Sequence, residues 1–198
     1  MRHTLSVLVE NKPGVLTRIA GLFGRRAFNI DSLTVAETER PGYSRMTIVT
    51  RGDSHVMEQI EKQLYKLINV IKVTTLSKGS PVERELCLIK VHADVATRPA
   101  VTQIVDIFRA RIVDVAPRSL VIEATGDREK LEAIIANLRQ FGIKEIIRSG
   151  PVAMSRGAAA LSAPAGEGDG FARDAGEDAE IQPGAAVGIA NANGGPRS

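Results

Sequence analysis

The chain has 198 residues, of which 43% are hydrophobic and 25% are charged, so its length and composition suit one or two globular domains. Aromatic residues make up only 4% and tryptophan is absent, which argues against a surface that stacks nucleic-acid bases. A net charge of +3 is too small to indicate a nucleic acid or a membrane as partner, and no apolar run reaches the ~20 residues of a membrane span. The single cysteine, Cys87, lies in the apolar run LCLIKV, and the N-terminus has no signal-peptide pattern, so a cytoplasmic protein with a buried thiol is expected.

The first part of the chain predicts the element order β-α-β-β-α-β. Residues 3–10 alternate as a strand, and residues 13–26 carry apolar side chains at helical spacing. Residues 29–37 and 43–51 predict two strands joined by a Pro-Gly turn. A second helix begins after Asp53 or Ser54, and residues 70–76 form a fourth strand. This order is typical of a ferredoxin-like fold.

The same order recurs in the second part of the chain. Residues 85–93 predict a strand, 99–109 a helix, RIVDVAP and SLVIEATG a strand pair, 127–141 a helix, and IKEIIRSG a closing strand. The predicted fold class is therefore α+β, with two tandem ferredoxin-like βαββαβ domains at 1–77 and 84–156. Residues 157–198 are rich in Gly, Ala and Asp and lack apolar periodicity, so this tail is expected to be disordered.

Two small sheets with helices on one face leave strand edges and a second face uncovered. Pairing of two such units side by side satisfies the edge strands, and the open face needs another layer. The sequence therefore predicts a dimer or larger assembly.

The turn Asn11-Lys12-Pro13-Gly14 joins the first strand to the first helix and is the first candidate site. Pro13 suits the first helical position, which leaves the backbone N–H groups of Gly14, Val15 and Leu16 open to a ligand. A helix start favours negative charge, so a carboxylate is a suitable guest, and the Asn11 amide can both donate and accept hydrogen bonds. An ordinary strand-to-helix turn explains the same four residues.

Asn29 lies where the first helix hands over to the second strand, and a helix cap or turn role explains it equally well. Signs of catalysis are missing from the sequence. His3, His55 and His92 are isolated, without the spacing of metal ligands, and no nucleophile motif or dinucleotide fingerprint is present. The sequence thus favours a binding or regulatory protein over an enzyme.

Long stretches of the chain resemble one known family. HTLSVLVENKPGVLTRIAGLFGRRAFNIDSLTVAETERPGYSRMTIVT, QIEKQLYKLINVIKVTTL and SPVERELCLIKV are similar to the small, regulatory subunits of acetolactate synthase, which begin with an ACT domain. The resemblance covers roughly residues 1–156. It implies an effector site at a dimer interface, formed by Asn11, Gly14, Val15 and Leu16 of one chain with Asn29 and Ile30 of the other. It also implies that Gln59 touches the catalytic large subunit.

The resemblance further implies a chain without catalytic residues or a cofactor of its own, and it leaves open whether a metal binds at the ACT interface. Thiamine diphosphate, Mg²⁺ and FAD belong to the large subunit, which condenses two pyruvates, or pyruvate with 2-oxobutyrate. The small subunit would activate that partner and impose feedback inhibition, usually by valine, with leucine and isoleucine left open because one methylene changes affinity by only ~1–3 kcal/mol.

Two alternatives of other classes remain at this point. The first is a free-standing amino-acid sensor, which would need an output domain that the sequence does not suggest. The second is an RNA-binding ferredoxin-like module, which predicts exposed aromatic residues on the central strands, where only Tyr43 occurs.

Overall fold

The chain forms two βαββαβ repeats in succession, which confirms the predicted fold class. The computed structural model describes residues 1–76, 80–158 and 161. The first repeat consists of β1 (Arg2–Glu10), α1 (Val15–Arg25), β2 (Ile30–Glu37), β3 (Tyr43–Arg51), α2 (Ser54–Leu64) and β4 (Val70–Thr75). The second consists of β5 (Val82–His92), α3 (Arg98–Ile107), β6 (Arg111–Ala116), β7 (Ser119–Gly126), α4 (Arg128–Leu138), a 3-10 turn (Arg139–Phe141) and β8 (Ile143–Arg148).

A short strand, β9 (Val152–Met154), follows the second repeat and was not predicted from the sequence. Only three residues long, it pairs with the start of β5, where Val82 lies opposite Met154. A strand this short carries no readable alternation, which is why the sequence pattern missed it. The predicted disorder of the 157–198 tail falls almost wholly outside the described residues.

The first sheet has the strand order β2-β3-β1-β4, and every neighbouring pair is antiparallel. Alternation along β1 points Leu5, Val7 and Val9 toward the two helices, and each is 1% exposed or less. Ile19 of α1 and Ile60 of α2 close this core from the helix side and are fully buried. Each such side chain stabilises the fold by about 1.5–3 kcal/mol, so this apolar layer holds the helices on the sheet.

The second sheet has the strand order β6-β7-β5-β8 and its own core beneath α3 and α4. Cys87, Ile89 and Val91 of the central strand β5 are fully buried in it. Burial raises the pKa of the Cys87 thiol, because the thiolate loses its hydration. The buried thiol expected from the sequence is therefore present, and it is poorly suited to act as a nucleophile.

The face of the first sheet that points away from its helices carries a row of hydroxyl side chains. Thr34, Thr47, Ser6 and Thr74 lie opposite one another on four adjacent strands. The start of β5 and β9 lie against this face, where Arg2 donates to Glu83 at 3.1 Å. The chain itself thus supplies part of the layer that the sequence argument assigned to an assembly.

A glycine lies where the two repeats approach each other closely. Gly150, between β8 and β9, has φ +77°, and a Cβ there would lie 2.3 Å from Ser32 Oγ and 3.0 Å from Thr34 Oγ1. Both the backbone conformation and the space therefore require glycine. The carbonyl oxygen of the preceding Ser149 accepts a hydrogen bond from Thr34 Oγ1 at 3.4 Å, so β2 contacts the second repeat directly.

Candidate functional site

The start of α1 is held by backbone geometry and not by a capping side chain. Gly14 is the N-cap residue, with φ +82°, and no side chain accepts a hydrogen bond from this helix end. Pro13 was expected at the first helical position, but it lies in the turn before the helix, which begins at Val15. The left-handed conformation at residue 14 forces this shift, because only glycine adopts it without strain.

The N–H groups open to a ligand differ by one from those expected. Val15 N–H is engaged, donating to the Lys12 carbonyl at 3.3 Å. Within the described part of the chain, the N–H groups of Gly14, Leu16 and Thr17 have no hydrogen-bond acceptor. Leu16 is also 44% exposed, so apolar surface lies beside these donors. This helix end can accept an anion that carries an aliphatic group.

Asn11 borders the same helix start and is fixed from two directions. Its backbone N–H donates to the Gly42 carbonyl at 2.8 Å, and its Nδ2 donates to Glu37 Oε1 at 2.6 Å. Glu37 is the last residue of β2, so Asn11 ties the helix start to the end of that edge strand. The Asn11 side-chain oxygen has no partner among the described residues and can accept a hydrogen bond from a ligand ammonium.

A chain of polar contacts beneath this loop was missed from the sequence. Arg18 donates to Asn69 at 2.7 Å, Asn69 donates to Glu10 at 2.6 Å, and Lys12 pairs with Glu10 at 3.0 Å. The hydrogen bond from Asn69, followed by that from Lys12, lowers the pKa of Glu10. Asn69 comes 59 residues after Glu10, so no local pattern joins them. The only available signal was an Asn set between apolar residues just before β4.

Asn29 and Ile30 lie at the other end of α1, where β2 begins. Asn29 Nδ2 donates to Asp31 Oδ1 at 2.6 Å, and the Asn29 carbonyl accepts from Thr50 Oγ1 at 2.6 Å. The pKa of Asp31 is lowered, first by the Arg51 guanidinium 2.6 Å away and also by Asn29. The left-handed residue that ends the helix is Ala27, with φ 54°, so Asn29 is not the helix cap that the sequence left open.

A single chain does not bring Asn11 and Asn29 together. They flank α1, whose 11 residues are about 16 Å long. They also flank β2, which begins just after Asn29 and ends at Glu37, the partner of Asn11. β2 is an edge strand. If two copies pair along β2 in antiparallel fashion, Asn29 of one copy comes beside Asn11 of the other.

Gln59 lies on α2, away from these two helix ends in sequence, and is half-buried. Its amide contacts His55 Nε2 at 2.9 Å, one helical turn earlier. This pair explains the orientation of the side chain without assigning it a partner, so the predicted large-subunit contact stays a prediction.

The described residues contain no cluster of three or more His, Cys, Asp and Glu side chains arranged to hold a metal ion. Among the helices of residues 1–76 and 80–158, none is long and apolar enough to cross a membrane.

Two family models match the chain, one in each repeat. Residues 5–72 match the AHAS small subunit-like ACT domain, and residues 84–157 match the model described as small subunit of acetolactate synthase. Among individual proteins, the chain is 58% identical over 156 residues to the probable acetolactate synthase small subunit of Methanothermobacter thermautotrophicus, covering 78% of this chain and 93% of that protein. It is 55% identical over 161 residues to the acetolactate synthase small subunit of Mycolicibacterium smegmatis, covering 81% and 95%.

A solved structure shares the whole described fold. The crystal structure of the acetolactate synthase small subunit from Thermotoga maritima superposes with a TM-score of 0.74 at 49% sequence identity. The match covers 80% of this chain and 99% of that one.

Proposed function

The chain belongs to the family of acetolactate synthase small subunits, and from that premise we propose that it is the regulatory subunit of an acetolactate synthase. It has no catalytic role of its own. It binds and activates a catalytic large subunit, which carries thiamine diphosphate, Mg²⁺ and FAD. It also confers feedback inhibition by valine. A cytoplasmic location, as expected from the sequence, suits the buried state of its one cysteine.

The observation that carries this proposal is the uncapped start of α1. Three backbone N–H groups there lack acceptors, and they lie beside the exposed Leu16 and the amide of Asn11. A branched-chain amino acid matches all three features. Its carboxylate accepts from the N–H groups, its ammonium donates to the Asn11 oxygen, and its side chain contacts Leu16. The helix end contributes about 0.3–1 kcal/mol per charge when exposed, and more once the ligand is partly buried.

The site is completed by a second copy of the chain. Residues 1–77 form the effector-binding and dimerisation domain, in which Asn29 and Ile30 of one copy approach Asn11 and Gly14 of the other. The unpaired edge of β2 supports this arrangement, because an exposed edge strand is a template for pairing. A two-fold interface of this kind creates two equivalent effector sites.

Inhibition requires that valine distinguish two states of this dimer. A ligand that binds both states equally shifts neither, so valine must favour the arrangement that activates the large subunit less. The contact of β2 with Ser149 and Gly150 offers a mechanical link from the effector site to the domain at 84–156. The large subunit is contacted by Gln59.

Reconstitution tests the proposal. The full-length chain is mixed with its large subunit, and acetolactate formation is followed across titrations of valine, leucine and isoleucine. Activation that valine reverses is the expected result. Activation that only leucine or isoleucine reverses would keep the partner and change the effector. No activation would contradict the proposal and favour a free-standing amino-acid sensor.

A further inference from the structure

A cavity of about 690 Å³ lies on the side of the first sheet opposite the effector site. Its floor is the sheet face that carries Ser6, Thr34 and Thr47, and its wall is formed by the start of β5, by β9 and by Leu161. Its volume is within the range of small-molecule sites, about 300–1,000 Å³. Apart from Glu37, which lines the cavity and is also the partner of Asn11, the cavity contains none of the residues assigned to the effector site, and it does not include Gln59.

The floor of the cavity contains an unsatisfied polar group. Ser6 is 2% exposed, and its hydroxyl has no hydrogen-bond partner among the described residues. A buried hydroxyl without a partner costs about 1–3 kcal/mol, so a natural chain rarely leaves one pointing into a cavity without a use for it. Thr47, directly opposite Ser6 on β3, adds a second hydroxyl that is 4% exposed.

Two arginines line the cavity, beside the exposed glutamates Glu37 and Glu39. Arg45 lies on β3, two residues before Thr47, and Arg84 lies on β5. Arg45 donates to the Leu161 carbonyl at 2.5 Å and Arg84 to the Glu83 carbonyl at 2.7 Å, which leaves further N–H donors on each guanidinium. In the described part of the chain, neither has a carboxylate within 4 Å. The cavity is therefore prepared for an anion.

The rest of the lining is mostly aliphatic and favours a ligand with an uncharged body over an amino acid. Leu76, Val82, Ala153 and Met154 form apolar walls. An amino acid would also need an acceptor for its ammonium. The two carboxylates in the lining, Glu37 and Glu39, are both exposed, and Glu37 already accepts from Asn11. A ligand with one negative end and an uncharged aliphatic body matches the lining.

We propose that this cavity binds a small aliphatic carboxylate, with its carboxylate held by Arg45 and the Ser6 and Thr47 hydroxyls and its chain against β9. The position between the first sheet and β9 would couple occupancy to how firmly the second repeat is held against the first. Because binding needs neither the large subunit nor valine, its failure and the failure of the regulatory proposal are separately detectable.

Octanoate is the probe, titrated into the full-length chain by calorimetry, with the uncharged 1-octanol as its matched control. We expect saturable octanoate binding and at least about tenfold weaker octanol binding. Ser6→Ala should weaken octanoate about tenfold yet raise the melting temperature of the free protein, because it removes an unpaired buried hydroxyl. Arg45→Gln should weaken octanoate about tenfold or more.

Arg111→Gln and Thr125→Ala are the control variants, because they change an exposed arginine and an exposed hydroxyl on the second sheet. They should leave the affinity for octanoate unchanged. Absence of saturable binding would overturn the proposal. So would equal binding of octanol, or octanoate binding that is indifferent to both Ser6→Ala and Arg45→Gln.

Discussion

The first helices of the two repeats begin differently, because more backbone N–H groups are left without acceptors at α1 than before α3, although the two repeats share one fold. α1 begins at Gly14 with no capping side chain and with three N–H groups open. The turn before α3 is closed by Asp94, whose Oδ1 accepts from the N–H groups of Ala96 at 3.1 Å and Thr97 at 2.8 Å and from the Thr97 hydroxyl at 2.8 Å. The hydrogen bond from the Thr97 backbone N–H, followed by that from the Thr97 hydroxyl, lowers the pKa of Asp94.

The Arg98 side chain ties the start of α3 to the end of β6 and the turn after it. Its Nη2 donates to the carbonyls of Ala93, Ala116 and Pro117, at 3.4, 2.7 and 3.2 Å. Neither helix has a capping side chain, but Asp94 engages the N–H groups just before α3 and Pro99 brings none, whereas the first repeat leaves three backbone donors open. The difference teaches that a helix start can serve stability or binding, and that this chain divides the two tasks between its repeats.

The largest effect should come from placing a charge at the open helix start. Gly14→Asp adds a carboxylate where the effector carboxylate is proposed to bind, so valine inhibition should weaken about 100-fold or more, by like-charge repulsion at close range. The measurement is a valine titration of the reconstituted enzyme.

Gly14→Asn is the matched control for that variant. It has nearly the same size, is neutral and tolerates the left-handed conformation better than most residues. It should lose less than about tenfold. If both variants lose inhibition equally, backbone strain and not charge decides, and the anion site at α1 is wrong.

In the second repeat, loss of a buried ion pair should destabilise the fold more than loss of an exposed one. Arg148 of β8 donates two hydrogen bonds to Glu85 of β5, at 3.0 and 2.6 Å, and Glu85 is only 9% exposed. Arg148→Ala should lower the free energy of unfolding by about 2–3 kcal/mol, because it leaves a buried carboxylate unpaired. Urea unfolding measures the loss.

Lys90→Ala is the control for Arg148→Ala. It removes an exposed pair with Glu145, at 3.6 Å, between the same two strands. This loss should be below about 1 kcal/mol. Equal losses in the two variants would show that burial of Glu85 is irrelevant to the second repeat.

A paired substitution sharpens the contrast between the two helix starts. Asp94→Ala should destabilise the chain by about 1–2 kcal/mol, since it frees the donors before α3. Asn11→Ala should change stability by less than about 0.5 kcal/mol, because Asn11 and Glu37 are both exposed, yet it should weaken valine inhibition. Unfolding and inhibition are measured on both variants. A large stability loss in Asn11→Ala would make that residue structural.

Lowering the pH should reduce stability through Asp31, which follows α1, and Asp94, which precedes α3. Asp31 and Asp94 have lowered pKa values, so their contribution to stability is complete above the ordinary aspartate pKa of about 3.9 and is lost as pH falls below it. Urea unfolding from pH 6 to 3 should show this loss. Asp94→Asn should make this loss of stability with falling pH smaller, whereas Asp114→Asn, at an exposed position, should leave it unchanged. An unchanged slope would contradict the assignment.

The sequence was informative about periodicity and weak about geometry that depends on single dihedral angles. Apolar spacing located the four strands and two helices of the first repeat within a few residues, because burial imposes that spacing. It did not reveal that Gly14 adopts the left-handed conformation, which leaves Pro13 in the turn before the helix, and it did not reveal β9. The bonds of Asn11 to Glu37 and of Asn69 to Glu10 join residues far apart in sequence, so no local pattern reports them.

The candidate residues themselves came from the resemblance more than from physics. The turn before α1 and Asn29 were each equally explained as ordinary turns. The structure places them at opposite ends of α1, which is about 16 Å long, so one chain alone could not reveal that they belong to one site. A composite of two copies is invisible to any argument made on a single sequence.

Mixing two damaged chains tests that composite site most directly. Gly14→Asp and Asn29→Ala chains are combined in equal amounts and allowed to exchange, and valine binding is measured at a concentration that leaves each pure variant empty. The site joins Gly14 of one copy to Asn29 of the other, so a mixed dimer has one intact site of two. About one quarter of wild-type sites should therefore reappear. If none reappear while the mixed dimers are present, the effector is held within one chain and the account is contradicted.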